Sequence, residues 1–424
     1  MKLVRILLLT LILLPLLSFA QSVPVLSLQN CIDSAVKNSY LLQANESDIK
    51  AARGQALFEK SKAIPKVSGE LASESRFLKP YDFSQVWASV HADWSLGDYL
   101  LKTDRAARQQ VETIRLLKQQ NRLDVIGKVS SLYMALLLNQ KQKEILNTRL
   151  NFIQKHYDFA VSLWKAGLRT QMDVLQSKAE IIKIQQDTVR LAMTRDNLVQ
   201  ELARMLGQDR PGSLHLQTLN TEEIVKIQPS IADADLNNNP LLLSYASKIK
   251  TQKMTKQAIK AQQYPHLNLG GGYFNDADPT GDGNYWRINA GINVPIYYGH
   301  EIRKLASVSD AQTAAIASRQ RQAKRKILIH LGQIESKLVQ LRKLMQLQQL
   351  QLNTAQNTVD FSEVNYKAGL ITNLEFITAQ QQLTTSKLAV EASRLDYLMN
   401  LIEFYVSTNR VDKIKALASM KSIP

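Results

Sequence analysis

Two rhythms of apolar residues alternate along the chain, one of helical period and one of period two. Ile327, Leu331, Ile334, Leu338, Leu341 and Met345 are spaced by three and four residues. That is a heptad seam, the pattern of helices packed side by side along their length. Ile126, Val129, Leu132, Tyr133, Leu136 and Leu137 hold a similar face. Both seams lie in proline-free stretches, Tyr81–Arg210 and Ile296–Ile423, rich in the helix formers Gln, Lys, Leu, Ala and Arg. A helix from about Asp98 to Leu163 is predicted, roughly 100 Å long at ~1.5 Å per residue.

The second rhythm follows Pro65 and Pro265. Val67, Gly69 and Leu71 alternate with Lys66, Ser68 and Glu70; beyond a loop containing Pro80, Val86, Ala88, Val90, Ala92, Trp94 and Leu96 alternate with Trp87, Ser89, His91, Asp93 and Ser95. After Pro265 come HLNLGGGYF, a turn-rich DADPTGDGN, and a run in which Trp286, Ile288, Ala290, Ile292, Val294 and Ile296 alternate with Arg287, Asn289, Gly291 and Asn293. Strict alternation marks strands with two unlike faces, and each loop makes a hairpin, at about 66–96 and 266–296. Each strand is near the ~9–11 residues that cross a bilayer as barrel wall; Trp94, Tyr273, Tyr285 and Trp286 are candidate interface aromatics. A sheet capping the helices outside any membrane is the plainer reading of each strand alone. Gly270, Gly271 and Gly272 lie within a strand and read as a bend or a close approach.

The chain is an internal duplication. Asn38, Leu41, Leu42, Ile49, Lys50 and Pro65 recur 200 residues on as Asn238, Leu241, Leu242, Ile249, Lys250 and Pro265. Lys165, Ala166, Gly167, Leu168 and Thr170 recur as Lys367, Ala368, Gly369, Leu370 and Thr372. Residues 21–220 and 221–424 each read as helix, hairpin, long helix, Gly-turn, returning helix. Gly167 and Gly369 end the long helices as C′ glycines; Thr170 and Thr372 are placed to cap the returning ones. Four strands cannot close a barrel, and open edges cannot face lipid, so several copies must share one sheet.

The N-terminus changes the compartment. Lys2 and Arg5 precede an apolar run, Ile6–Leu17, and a Ser18-Phe19-Ala20 small-x-small site, which reads as a cleaved export signal over residues 1–20. No later segment reaches the ~20 apolar residues of a spanning helix. Cys31, the single cysteine, reads as a buried thiol. The net charge of +16 fits basic side chains coating long solvated helices; export and the lack of aromatic–basic clustering argue against nucleic acid.

Little points to catalysis. The six histidines are scattered, with no pair at ligand spacing, no HExxH, no CxxC and no phosphate loop. Glu222 and Glu223 lie in a linker without a partner in view. No enzyme activity, cofactor or metal is expected.

The segments SLQNCIDSAVKNS (27–39), NNNPLLLSYASKI (237–249), VPIYYGHEIRK (294–304) and the paired KAGL-x-T turns resemble the TolC-type outer-membrane efflux family over essentially the full mature length. The resemblance implies a mainly α fold with a small β part. It implies a homotrimer whose twelve strands form an outer-membrane β-barrel in contact with lipid, continuing into a periplasmic α-helical barrel that is closed at its far end. The trimer would be the passive channel component of a tripartite efflux or type I secretion system, fed by a periplasmic adaptor protein and an inner-membrane pump. It assigns adaptor contact to Lys165, Ala166, Gly167, Leu168, Lys367, Ala368, Gly369 and Leu370, and a periplasmic gate to the positions of Glu375 and Thr378, of which only the first is acidic. The plainer readings are a helix-turn-helix corner and a solvated helix residue. The rival function is an exported, membrane-associated helical scaffold or adhesin, which explains the heptads but not two hairpins at matching places in a duplication.

Overall fold

The computed structural model describes residues 25–78, 81–95, 103–208, 215–233, 235–277, 284–297 and 299–419. The predicted export signal, the predicted loop at Pro80, Leu96 and the predicted helix start at about Asp98 lie outside them. In chain order the elements are β1 (Val25–Leu26), α1 (Leu28–Asn38), α2 (Tyr40–Ser61), β2 (Lys66–Leu78), β3 (Tyr81–Ser95), α3 (Thr103–Lys165), α4 (Gln171–Met205), β4 (His215–Leu216), α5 (Thr221–Ile224), α6 (Pro240–Ala261), β5 (His266–Ala277), β6 (Asn284–Asn293), α7 (Glu301–Lys367), α8 (Asn373–Ser407) and α9 (Val411–Ser419). The order α2-β2-β3-α3-α4 returns as α6-β5-β6-α7-α8.

The two long helices, of 63 and 67 residues, run roughly 95–100 Å at ~1.5 Å per residue and organise the rest. Toward the sheet the packing order is α2-α3-α6-α7; toward the far end it is α4-α3-α8-α7. Helix starts follow from local chemistry. Ser27 Oγ accepts from Asn30 N–H at 3.1 Å, and Asn239 Oδ1 from Leu242 N–H at 3.2 Å with Pro240 opening α6. These are orphan donors satisfied at N-caps.

Both predicted seams are buried: Leu331, Ile334, Leu338 and Leu341 fully, Ile327 and Met345 partly, and all six of the α3 face. They are covered midway by a side layer of α1, α5, α9 and the parallel β1–β4 pair. Tyr133 Oη, on α3, donates to the carbonyls of Gln217 (2.7 Å) and Leu26 (3.1 Å); Tyr397 Oη, on α8, donates to Ile227 O at 2.5 Å. Cys31 is buried here, its thiol pushed up to about 12 by burial.

The sheet is antiparallel in the order β2-β3-β5-β6. Its register puts Val67, Leu71, Val90, Tyr273, Trp286, Ile288 and Ile292 on one face, and Ser68, Glu70, His91, Asp93, Arg287 and Asn289 on the other. The apolar face is bare: Leu71 is 79% exposed and Ile288 89%. The interface aromatics need correction. Tyr285 and Trp286 are neighbours on β6 and point to opposite faces. Trp286 packs on Tyr273 (ring centroids 5.4 Å), whereas Tyr285 stacks on Phe274 across the polar face (5.4 Å) with Arg287 above both. Trp94 donates Nε1–H to Ala63 O at 2.9 Å and so ties β3 to the turn after α2. The triple glycine is a close approach: a Cβ on Gly272 would lie 2.7 Å from both His91 Cβ and Val90 O.

Candidate functional site at the helical tip

The far end of the molecule is built from two glycine turns. Gly167 (φ 74°) and Gly369 (φ 80°) are left-handed. At the first, Leu168 N–H reaches Leu163 O and Gly167 N–H reaches Trp164 O, both at 2.9 Å. At the second, Leu370 N–H reaches Asn365 O (2.9 Å) and Gly369 N–H reaches Tyr366 O (3.0 Å). These are paired Schellman bonds, and the left-handed residue is what allows them. Lys165 and Lys367 end the long helices; Ala166, Gly167 and Leu168, and Ala368, Gly369 and Leu370, form exposed corners. Leu168 and Leu370 are 70% and 75% exposed.

The structure brings the two corners together. Arg169 Nη2 donates to Tyr366 O at 2.9 Å, and its guanidinium sits 4.7 Å over the Tyr366 ring. Beneath, Asn373 is buried at the start of α8. Its Nδ2 donates to Asp173 O (3.0 Å) and Gln176 Oε1 (3.1 Å), and its Oδ1 lies 2.7 Å from His156 Nε2 and accepts from Ser177 Oγ at 3.4 Å. His156 stacks on Phe376 (4.3 Å) and meets Tyr366 at a tilt (4.9 Å), and these two rings stack on each other (5.5 Å). Burial lowers its pKa, opposed by the Asn373 bond and the charges of Asp173 and Glu363.

The caps differ between the repeats. Thr372 forms a full capping box: its Oγ1 accepts from Glu375 N–H at 3.2 Å while Glu375 Oε2 takes Thr372 N–H at 2.7 Å. That backbone bond, then the Thr372 hydroxyl, holds the Glu375 carboxyl below the usual range. The expected equivalent at Thr170 is corrected: it sits at the N-cap but makes no side-chain cap bond, its hydroxyl turning to Asp173 Oδ1 at 3.4 Å. Thr378, one turn after Glu375, is exposed and donates to Leu374 O at 2.7 Å.

Sequence reasoning missed Arg169, His156 and Asn373. Arg169 was within sight: it stands in KAGLRT where the other repeat has Ile371 in KAGLIT. Among the described residues no group of three or more His, Cys, Asp or Glu is arranged to hold a metal. No described helix is long and apolar enough to cross a membrane.

Above this tip, long helices flank one another in a single layer and end in a half-amphipathic sheet with two open edges. That is the protomer architecture of the TolC-like outer-membrane channels. The profile of the outer membrane efflux protein family matches residues 31–208 and again 232–410, and the chain belongs to that family. It is 20% identical to the outer membrane protein OprJ of Pseudomonas aeruginosa, over 85% of this chain and 79% of that one. It is 22% identical to the outer membrane protein TolC of Salmonella enteritidis, over 70% and 62%. Among solved structures, CusC superposes with a TM-score of 0.81 at 16% identity, covering 90% of this chain and 92% of that one. VceC of Vibrio cholerae gives 0.77 at 16%, covering 92% and 96%. The chain is an outer-membrane efflux channel component with its helical part in the periplasm.

Proposed function

We propose that the protein works as a homotrimer, in which three four-stranded sheets close a twelve-stranded barrel and the helical layers close a tube beneath it. The observation that carries this reading is a pair of unpartnered seams at the flanks of the far-end layer. On α4, Met172, Leu175, Ala179, Ile182, Gln186, Val189 and Met193 are exposed at three- and four-residue spacing; on α7, Leu347, Leu350, Thr354, Asn357, Phe361 and Val364 are. Each is a heptad seam without a partner among the described residues, and Val189 and Phe361 are 60% and 72% exposed. Both run over the same depth. Val189 lies 189 − 171 = 18 residues from the tip end of α4, and Leu350 lies 367 − 350 = 17 residues from that of α7. Laying α4 of one copy against α7 of the next satisfies both seams and pairs the free edges of β2 and β6, which lipid would not tolerate. The apolar sheet face then meets outer-membrane lipid and the polar face lines the lumen.

In this assembly the chain conducts passively and is not an enzyme. Substrates arrive from an inner-membrane pump through a periplasmic adaptor that docks on Lys165, Ala166, Gly167 and Leu168, and on Lys367, Ala368, Gly369 and Leu370. Two exposed leucines at rigid corners, each three residues after an exposed lysine, support that use. Glu375 and Thr378 are assigned to the closed periplasmic gate, where three copies of Glu375 ring the axis. In a Cys31→Ala background, Val189→Cys with Leu350→Cys should give disulfide-linked trimers in outer membranes. A chain that stays uncrosslinked there would contradict the assembly.

A further inference from the structure

Two basic clusters lie at similar depth along the helices. A cleft of about 680 Å³ between α1, α2 and α3 is lined by Lys37, Lys50, Arg53, Arg115, Lys118 and Arg122, against one acid, Glu46. Lys118 is matched by Glu46, and Arg115 by Glu112 at 3.3 Å. Lys37, Lys50, Arg53 and Arg122 have no acidic partner among the described residues. The field is felt locally: Lys118 first, then Lys50 and Arg53, hold the Glu46 carboxyl below the usual range.

A second cluster lies close in depth. Arg319, Arg321, Lys324, Arg325 and Lys326 are exposed on α7. They fall 319 − 301 = 18 to 326 − 301 = 25 residues from the sheet end of that helix, roughly 27–38 Å. Arg115 and Arg122 fall 115 − 103 = 12 and 122 − 103 = 19 residues along α3, roughly 18–28 Å. Because α2 and α7 are the two flanks of the layer near the sheet, neighbouring copies in the trimer set the two clusters side by side. The cleft faces outward, since α1 belongs to the side layer, which covers one face of the helices and must lie outside an open tube. The α7 run exceeds two turns, so part of it faces outward whichever way the helix is rotated.

We propose that this girdle binds the carboxylate-bearing peptide chains of the cell-wall peptidoglycan. The inference rests on the trimeric outer-membrane reading. Lipid headgroups are the weaker match, because the nearest of these cations, Arg53, lies 61 − 53 = 8 residues from the sheet end of α2, roughly 12 Å, beyond the ~8–10 Å over which salt screens an exposed charge. A repeating polyanion at fixed depth below the membrane matches a repeating ring of cations.

The test is cosedimentation of the detergent-purified full-length protein with insoluble peptidoglycan sacculi. The wild type should pellet at low salt and be released at high salt. Lys50→Glu with Arg53→Glu and Arg122→Glu should reduce the bound fraction about tenfold or more. Lys226→Glu with Lys413→Glu, exposed in and beside the side layer but outside the cleft, should bind as wild type. Sacculi with amidated carboxyls should lose the wild type. Binding unchanged by the cleft reversal or by amidation, or no pelleting at all, overturns the inference. So does release by phosphatidylglycerol micelles but not by soluble wall peptides, which assigns the cleft to lipid. Light scattering on the same samples separates the claims: trimers that do not pellet sink this inference alone, while monomers sink the reading beneath it.

Discussion

His156 Nε2 and Asn373 Oδ1 stand 2.7 Å apart in the buried tip, although 217 residues separate them along the chain. The same amide reaches Asp173 O and Gln176 across the repeat boundary. One side chain therefore joins α3, α4 and α8, directly beneath the two corners assigned to the adaptor.

Replacing Asn373 with Ala leaves His156 and the Asp173 carbonyl without that partner. A buried polar group left unsatisfied costs ~1–3 kcal/mol. Proteolysis at the tip and thermal unfolding should both move toward instability, while the sheet stays resistant. A tip as resistant as the wild type would remove Asn373 from this role.

His156 also sets a pH dependence. Its folded pKa is depressed by burial, so the unfolded chain takes the proton first as pH falls below the ordinary value of ~6.5. Its contribution to stability is complete above that value and is lost as pH falls through the folded pKa. Lys155 and Lys367 line the same cleft as His156, with Glu363, and the guanidinium of Arg169 lies over Tyr366. Denaturation midpoints measured across this range should decline toward acid, and His156→Gln should flatten the decline. A slope unchanged by the substitution would contradict this origin.

Arg149 and Glu180 form a buried ion pair between α3 and α4, with side chains only 8% and 9% exposed. Removing one partner of such a pair costs ~3–5 kcal/mol, whereas replacing both with apolar groups is often neutral. Glu180→Gln should lower the unfolding midpoint sharply, and Arg149→Met with Glu180→Leu should restore most of it. Equal losses in the single and double variants would argue against pairing as the cause.

The two faces of the sheet make unlike predictions for neighbouring residues. Ile288 is on the apolar face and Asn289 on the polar one. Ile288→Lys should impair barrel assembly, at ~2–4 kcal/mol for a lysine facing the bilayer midplane; Asn289→Lys should assemble and change conductance. Heat-modifiable migration of outer-membrane fractions reads the difference, and assembly of both variants alike would mean that the apolar face does not meet lipid.

Much of this architecture was legible because it is periodic. The seam from Ile327 to Met345, the alternation from Trp286 to Ile292, and the glycines at 167 and 369 each impose local geometry that survives in the fold. What was not legible depends on which helices become neighbours. Arg149 and Glu180 look like ordinary surface charges until α3 and α4 pack. Asn373 looks like a helix-start residue until Asp173 and His156 are brought to it. Tyr285 and Trp286 both look like interface aromatics in the sequence, although their adjacency on one strand puts them on opposite faces. Thr170 and Thr372 carry the same motif, yet only Thr372 has a glutamate three residues on to close the box; Thr170 has Asp173, whose shorter side chain takes the hydroxyl instead.

Gly167 has nothing within 4 Å of a built Cβ, so a substitution there reports backbone conformation alone. Gly167→Val should cost ~1–2 kcal/mol for a left-handed residue and reduce adaptor binding and efflux, with Gly167→Asn intermediate. Unchanged efflux in Gly167→Val and Gly369→Val would remove the tip from adaptor docking.

The most direct test of the shared barrel is the protein mass of the detergent-extracted particle from the outer-membrane fraction, by light scattering. A mass of three chains is the predicted result. A single chain, or recovery in the soluble periplasm, would mean that four strands close nothing and would contradict the channel.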